Sequence, residues 1–391
     1  MSKWLGLTSL ALTVLLSAAL LGPAHSAQSP SAAPPKNATF RQEFAGRFLI
    51  GTALNIDQIM GRQTAVLEFV AAQFNAVTAE NEMKWERIHP EENRYHWEVA
   101  DALVAFCTDN DIFLTGHTLI WHQQTPDWVF EDEHGNPASR ELLLKRMQTH
   151  IHTVIGHFDG AVPSWDVVNE ALNDDGSMRE SRWQQIIGDD FVAKAFEFAH
   201  QADPDTRLYY NDYNIYMPAK RDAAVRLVKS LQDQGIRVDG IGMQGHYGLD
   251  HPENLDEIEA AIVAYAELGD VMITELDLSV LPFPDDSAVG ADLDVNMQLK
   301  ALYNPYTEGL SSETEKAQTE RYLDIFKIFL KHQDKISRVT FWGLSDADSW
   351  KNGWPMQGRT DYPLMINREM ELKPAALELF QLTDDYPLPV N

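Results

Sequence analysis

Two apolar runs in this chain each deliver a glutamate. Trp165-Asp166-Val167-Val168-Asn169-Glu170 ends in a carboxylate preceded by an amide, and Val271-Met272-Ile273-Thr274-Glu275-Leu276-Asp277 carries a second one. Hydrolysis of a glycosidic bond needs such a pair. One carboxyl group is protonated to assist the leaving oxygen, and the other is ionised to attack the anomeric carbon or to activate water. The neighbours suggest how two roles divide. Asp277 lies two residues beyond Glu275, hence on the same side of a strand. His246 closes the preceding apolar run and is placed to donate to Glu275. Steadied by Asp277, it would hold Glu275 ionised, which suits a nucleophile. Glu170 follows Asn169 and feels the negative charge of Glu275, so it is expected to titrate higher and suits a general acid. Blander readings exist for each residue alone: an ion-paired glutamate, a satisfied core histidine, an aspartate capping a loop. The pairing of two strand-end glutamates favours catalysis.

Placing these residues opposite one another requires a particular scaffold. Short β-branched runs recur at residues 49–55, 74–81, 113–121, 165–170, 207–212, 240–246, 271–277 and 338–343. Amphipathic segments alternate with them at 97–109, 140–158, 191–202, 220–234, 254–268 and 314–332. Eight strands alternating with helices predict an α/β fold, a single (β/α)8 TIM barrel. An open doubly wound sheet is the runner-up, but no glycine-rich phosphate loop follows any strand. Nearly every run also ends in polar or aromatic residues: Asn55; Glu80 and Asn81; His117 and Trp121; Asn169 and Glu170; Asn211 and Asp212; Gln244 and His246; Glu275 and Asp277; Trp342. Active sites of such barrels are built at the carboxyl ends of the strands. Glu80, Asn81 and Lys84 beside Trp85 offer the charged and amide groups that hydroxyl-rich ligands need.

Composition narrows the partners. The 391 residues are 44% hydrophobic and 10% aromatic, enough for one large core. A net charge of −28 repels phosphate backbones and anionic lipid, so nucleic acid and membrane surfaces are poor partners. The 10 Trp and 12 Tyr supply flat faces for sugar rings, although most aromatic rings belong to cores. The single cysteine, Cys107, follows an apolar stretch and reads as a buried thiol, which also excludes metal sites built on paired cysteines. Residues 1–26 combine Lys3, an apolar run and a small-residue cleavage pattern, so they read as a signal peptide. An alanine-, proline- and serine-rich tether at 27–39 would precede the catalytic domain at 40–391. Export to the periplasm or the medium follows, with no membrane attachment after cleavage.

Seven segments in order resemble glycoside hydrolase family 10. They are Thr78-x-Glu80-Asn81-x-Met83-Lys84-Trp85; Gly116-His117-Thr118-Leu119-x-Trp121-His122-x-Gln124-x-Pro126-x-Trp128; Trp165 to Glu170; Tyr210-Asn211-Asp212-Tyr213-Asn214; Gly242-Met243-Gln244-x-His246; Ile273 to Asp277; and Phe341-Trp342-Gly343-Leu344-x-Asp346-x-x-Ser349-Trp350. The resemblance implies a retaining endo-β-1,4-xylanase on a (β/α)8 barrel, acting on xylan or xylo-oligosaccharides without cofactor or metal. It implies Glu170 as acid/base and Glu275 as nucleophile. Asn169 would bond the 2-hydroxyl of the sugar under attack. His246 and Asp277 would tune the nucleophile, and Gln244 would support the site. Glu80, Asn81, Lys84, His117, Trp121 and Gln124 match sugar-binding positions on the glycone side. Trp342 and Trp350 would form aromatic floor and wall, and Tyr213 would line the leaving-group side. Three features depart from the pattern: Gln123 stands where a small residue is usual, and the acidic stretch 282–312 and the loop 351–360 are long and should overhang the cleft.

Three other functions are weighed against this one. A retaining cellulase or mannanase would share the chemistry and differ in room near the sugar C5, where Gln124 and Trp342 would have to crowd out a hydroxymethyl group. A non-catalytic sugar-binding protein predicts loss of one carboxylate. A metal-dependent hydrolase using His117 and His122 is disfavoured because residues five apart on a strand point to opposite faces. The expected outcome of mutagenesis is that Glu275→Ala abolishes xylan hydrolysis, whereas Glu170→Ala mostly spares substrates with very good leaving groups. Full activity in a protein lacking Glu275 would sink the assignment.

Overall fold

A computed structural model describes residues 38–62, 65–282 and 301–388. The expected signal peptide, nearly all of the expected tether and most of the acidic stretch 282–312 lie outside the described residues. Thr39 accepts a bond from the Gln42 amide and caps the first short helix, Phe40–Glu43.

Nine strands run through the described residues. They are β1 (Leu49–Leu54), β2 (Ala76–Ala79), β3 (Phe113–Ile120), β4 (Ser164–Asn169), β5 (Arg207–Asp212), β6 (Gly240–Met243), β7 (His246–Gly248), β8 (Asp270–Ser279) and β9 (Ile336–Phe341). All pairings between them are parallel. β1 to β6 follow in order, β6 pairs with β8, β8 with β9, and β9 closes on β1. The result is a closed eight-stranded barrel, with β7 added against the far end of β8 through the register His246↔Asp277. Helices fill the connections and pack outside. In Arg140–Phe158 the buried residues Leu143, Met147, Ile151, Val154 and Phe158 fall at three- and four-residue spacing, one stripe facing the barrel.

The structure departs from the sequence expectations at two strands that matter for the site. The run expected as one strand over 240–246 breaks after Met243. Gly245 adopts φ +83°, and a Cβ there would press on Ile273, so only glycine makes this bend. The break lets His246 leave the barrel wall and pair beside Asp277. The run expected over 74–81 ends at Ala79, so Glu80 and Asn81 stand on the loop above β2. Asn55, expected among the strand-end polar residues, caps the helix Ile56–Ile59 in a reciprocal box with Gln58. The helices Val66–Gln73 and Pro374–Thr383 escaped the sequence reading.

The layer between the barrel and its helices is tightly filled, with Trp165 against Phe158 of the helix Arg140–Phe158. Gly116 on β3 lies opposite Trp165 on β4, and the Trp165 ring covers the glycine. A methyl group at Gly116 would fall inside that buried ring. We expect Gly116→Ala to cost about 1–3 kcal/mol, seen as a lower urea midpoint at unchanged m-value. An unchanged midpoint would show that Trp165 is free to move.

Candidate active site

The carboxyl ends of the strands open into a cleft of about 800 Å³. Both glutamates line it, and both are almost fully buried, with 4% and 5% exposure for Glu170 and Glu275. Glu170 sits one residue past β4, with its N–H on the Asn211 carbonyl at 2.9 Å. Its Oε2 accepts from the Trp121 indole at 2.9 Å; its Oε1 accepts from Gln244 at 2.9 Å and Asn169 at 3.3 Å. Glu275 lies within β8, and its Oε1 accepts from Asn211 Nδ2 at 2.8 Å. The same Asn211 nitrogen donates to Asn169 Oδ1 at 2.9 Å, and Gln244 also donates there at 3.3 Å. Three amides therefore connect the two carboxylates across the barrel mouth.

His246 accounts for the state of Glu275. Its Nε2 is 3.2 Å from Glu275 Oε2 and its Nδ1 2.9 Å from Asp277 Oδ2. Both partners are carboxylates, which only accept, so both ring nitrogens carry protons and the ring is an imidazolium. Burial works against that charge, but Asp277 and Glu275 outweigh it and raise the His246 pKa to about 9. Glu275 is pushed up by burial and brought below its usual range by the His246 bond, with His117 and Lys84 adding to the effect. Asp277 is likewise lowered despite complete burial, by His246 and Lys351 and by the Trp350 indole donating at 2.7 Å.

The opposite rim is a polar frame around Lys84. Its Nζ donates to Gln124 Oε1 at 2.9 Å and Asn81 Oδ1 at 3.1 Å, and lies 4.8 Å over the Trp121 ring. Burial depresses the lysine pKa, offset in part by Glu275, Glu80 and Glu170. Burial raises Glu80, with Lys84 opposing. Gln124 holds a left-handed backbone (φ 41°) and returns its own amide to Asn81 at 3.2 Å. His117 bonds Asp166 through Nδ1 at 2.8 Å, which leaves Nε2 for the cleft it lines, and it meets the Trp342 ring edge-on at 5.3 Å. Tyr213 lines the remaining side, its hydroxyl accepting from Arg179 at 2.7 Å.

Comparison with known proteins decides the family. Residues 39–381 match the profile described as "Glycosyl hydrolase family 10". The chain belongs to glycosyl hydrolase family 10. An endo-1,4-beta-xylanase A of Xylanibacter ruminicola is 46% identical over 355 residues, spanning 90% of this chain and 96% of that protein. Among solved structures, a GH10 endoxylanase retrieved from a sugarcane soil metagenome superposes with TM-score 0.83 at 42% identity, covering 89% of this chain and 99% of its own. A further structure, of a mutant in complex with xylotriose, superposes with TM-score 0.78 at 36% identity, covering 89% and 99% respectively.

Every site residue expected from the sequence of this family 10 protein lines one cleft or touches a residue that does. Asn169, Gln244, Trp342 and Trp350 line it directly, and Asp277 stands behind His246. The reading missed Asn211, the amide that bonds Glu275, although the strand-end signal had picked it out. The loop 351–360, expected to overhang the cleft, does reach it, although the sequence reading names none of its side chains. Lys351 Nζ lies 3.7 Å from Asp277 Oδ1 and 4.4 Å over Trp350, and Trp354 stacks on Trp350 at 4.9 Å. Lys351, Trp354 and Arg359 all line the cleft.

The raised pKa of His246 has a consequence for stability. Because the folded value of about 9 exceeds the ordinary 6.5, the contribution is complete below about pH 6.5 and is lost as pH rises through 9. Urea unfolding across this window should show that decline, and His246→Gln should remove it. The same substitution should move the acid limb of kcat/KM upward, since Glu275 loses its charged donor. An unchanged limb would contradict the His246–Glu275 coupling.

Proposed function

We propose that the protein is an exported, retaining endo-β-1,4-xylanase that cleaves internal bonds of xylan with Glu275 as nucleophile and Glu170 as acid/base. The observation that carries the reading is the contrast between the two glutamates. Glu275 is bonded to the imidazolium of His246 and depressed in pKa, whereas Glu170 is bonded to an indole and two amides.

In the first step a Glu275 oxygen attacks the anomeric carbon while the bond to the leaving oxygen breaks. Glu170 gives its proton to that oxygen, and a glycosyl ester on Glu275 forms. In the second step Glu170 takes a proton from water, the water oxygen attacks the same carbon, and the Glu275 carboxylate departs. Two inversions leave the configuration retained. Asn169 sits between the two acids, as a group that bonds the 2-hydroxyl must. Lys84, Asn81, Gln124 and His117 supply hydroxyl-binding groups on the glycone side, with Lys84 over the Trp121 ring and His117 against Trp342.

Relatives named endo-1,4-beta-xylanase and a relative solved with xylotriose support xylan as the substrate class. The charge of −28 is compatible with a neutral or weakly decorated polymer and unfavourable for polyanions. Export is supported by the signal-peptide pattern of residues 1–26.

Rates on aryl β-xylobioside and aryl β-cellobioside test the reading directly. We expect the xylobioside to be preferred by one or more orders of magnitude, and proton NMR of the first product to show the β-anomer. Preference for the cellobioside would transfer the function to a cellulase, and an initial α-anomer would overturn retention.

A further inference from the structure

Glu170 is held on left-handed backbone (φ 58°), a conformation that a non-glycine residue keeps only when its surroundings enforce it. Two bonds grip its peptide groups. The N–H meets the Asn211 carbonyl, and the carbonyl accepts from Arg179 Nε at 3.0 Å. Arg179 returns from the excursion after β4, where Leu172 and Met178 form an antiparallel bridge, and its own N–H bonds the Ala171 carbonyl at 2.8 Å. Its guanidinium also donates through Nη2 to the Tyr213 hydroxyl at 2.7 Å. One planar fork thus spans the main chain of Glu170 and the tip of a cleft-lining tyrosine.

The far side of that tyrosine is equally built. Lys220, with no exposed surface, places Nζ 3.5 Å over the Tyr213 ring, 3.0 Å from Asp212 Oδ1 and 3.1 Å from Asp174 Oδ1. Asp212 is fully buried and accepts from the Tyr210 hydroxyl, the Leu172 amide and the Tyr213 amide at 2.5, 3.3 and 2.9 Å. The lysine–aspartate pair therefore fixes both Tyr213 and the segment that follows Glu170.

We propose that Arg179 is a positioning residue. It ties the Glu170 backbone to Tyr213, seated on Lys220 and Asp212, so that the Glu170 carboxyl is aimed at the leaving-group oxygen. The inference rests on the acid/base reading of Glu170. A lysine cannot replace it fully, because an ammonium on a flexible stem lacks the rigid fork that bonds two acceptors in one plane. Misplacing a reacting group by about 1 Å costs on the order of 10²-fold in rate. In kcat/KM, which reports formation of the glycosyl ester, that loss falls only where the leaving group needs a proton; the later deprotonation of water by Glu170 shows in kcat for every substrate.

The test compares kcat/KM on phenyl β-xylobioside, whose leaving group needs a proton, with 2,4-dinitrophenyl β-xylobioside, whose leaving group does not. Arg179→Met should lose about 10²-fold on the phenyl substrate and stay near wild type on the dinitrophenyl one, with Arg179→Lys recovering part of the phenyl rate. Equal losses on both substrates, or no loss on either, would overturn the proposal. If Arg179→Met does not fold, Arg179→Lys carries the comparison alone: a smaller, phenyl-selective loss supports the role and an unselective loss overturns it. Glu170→Ala is run alongside. If it is phenyl-selective while the Arg179 variants are not, only the positioning role fails; if it is unselective, the acid/base reading fails and this proposal with it.

Discussion

An ionised carboxylate buried at the mouth of a barrel is costly to desolvate, and the catalytic end of this fold is arranged around meeting that cost for Glu275. The charge is tolerable only when paired and hydrogen-bonded in good geometry. His246 provides the pairing, Asn211 the neutral bond, and Lys84 and His117 a supporting field. The imidazolium of His246 is itself buried and needs Asp277, which in turn needs the Trp350 indole and the Lys351 ammonium. The chain of compensation runs outward from one oxygen to a loop at the rim.

The same logic explains why aromatic residues do two things at once. Trp121 and Trp350 line the cleft as flat faces, yet each also donates its indole N–H to a buried carboxylate, Glu170 in one case and Asp277 in the other. A tryptophan so anchored offers a ring in one orientation, with its rotamer already paid for by the acid it holds. Lys84 links the systems, lying over Trp121 while belonging to the field of both glutamates. Sugar-contacting surface and acid–base machinery are thus one network.

Much of this was legible in the chain. Strand-end glutamates, the closing histidine and the alternation of apolar runs with amphipathic helices implied a barrel with a carboxylate pair at its mouth, and all of these residues converge on the cleft. The misreadings are local and have physical causes. The single strand expected over 240–246 ignored the backbone freedom of Gly245, which cuts the strand and swings His246 toward Asp277. Asn55 looked like the other strand-end polar residues because a helix cap and a site residue share the same chemistry. The helix Val66–Gln73 was missed because its short, largely apolar stretch shows little amphipathic contrast.

By itself the sequence determined which side chains are chemically capable and on which elements they ride, since periodicity and strand-end position are local properties of the chain. Only the tertiary structure decided which of them touch. That Asn211, rather than Asn169, bonds Glu275, that Arg179 reaches back to the main chain of Glu170, and that Lys351 stands behind Asp277 all depend on the closure of β9 onto β1 and on the course of loops. Two of these contacts, Asn211–Glu275 and Lys351–Asp277, join residues more than sixty positions apart, and the third bridges the ends of a loop; their distances are fixed by packing around the barrel, which no local pattern records.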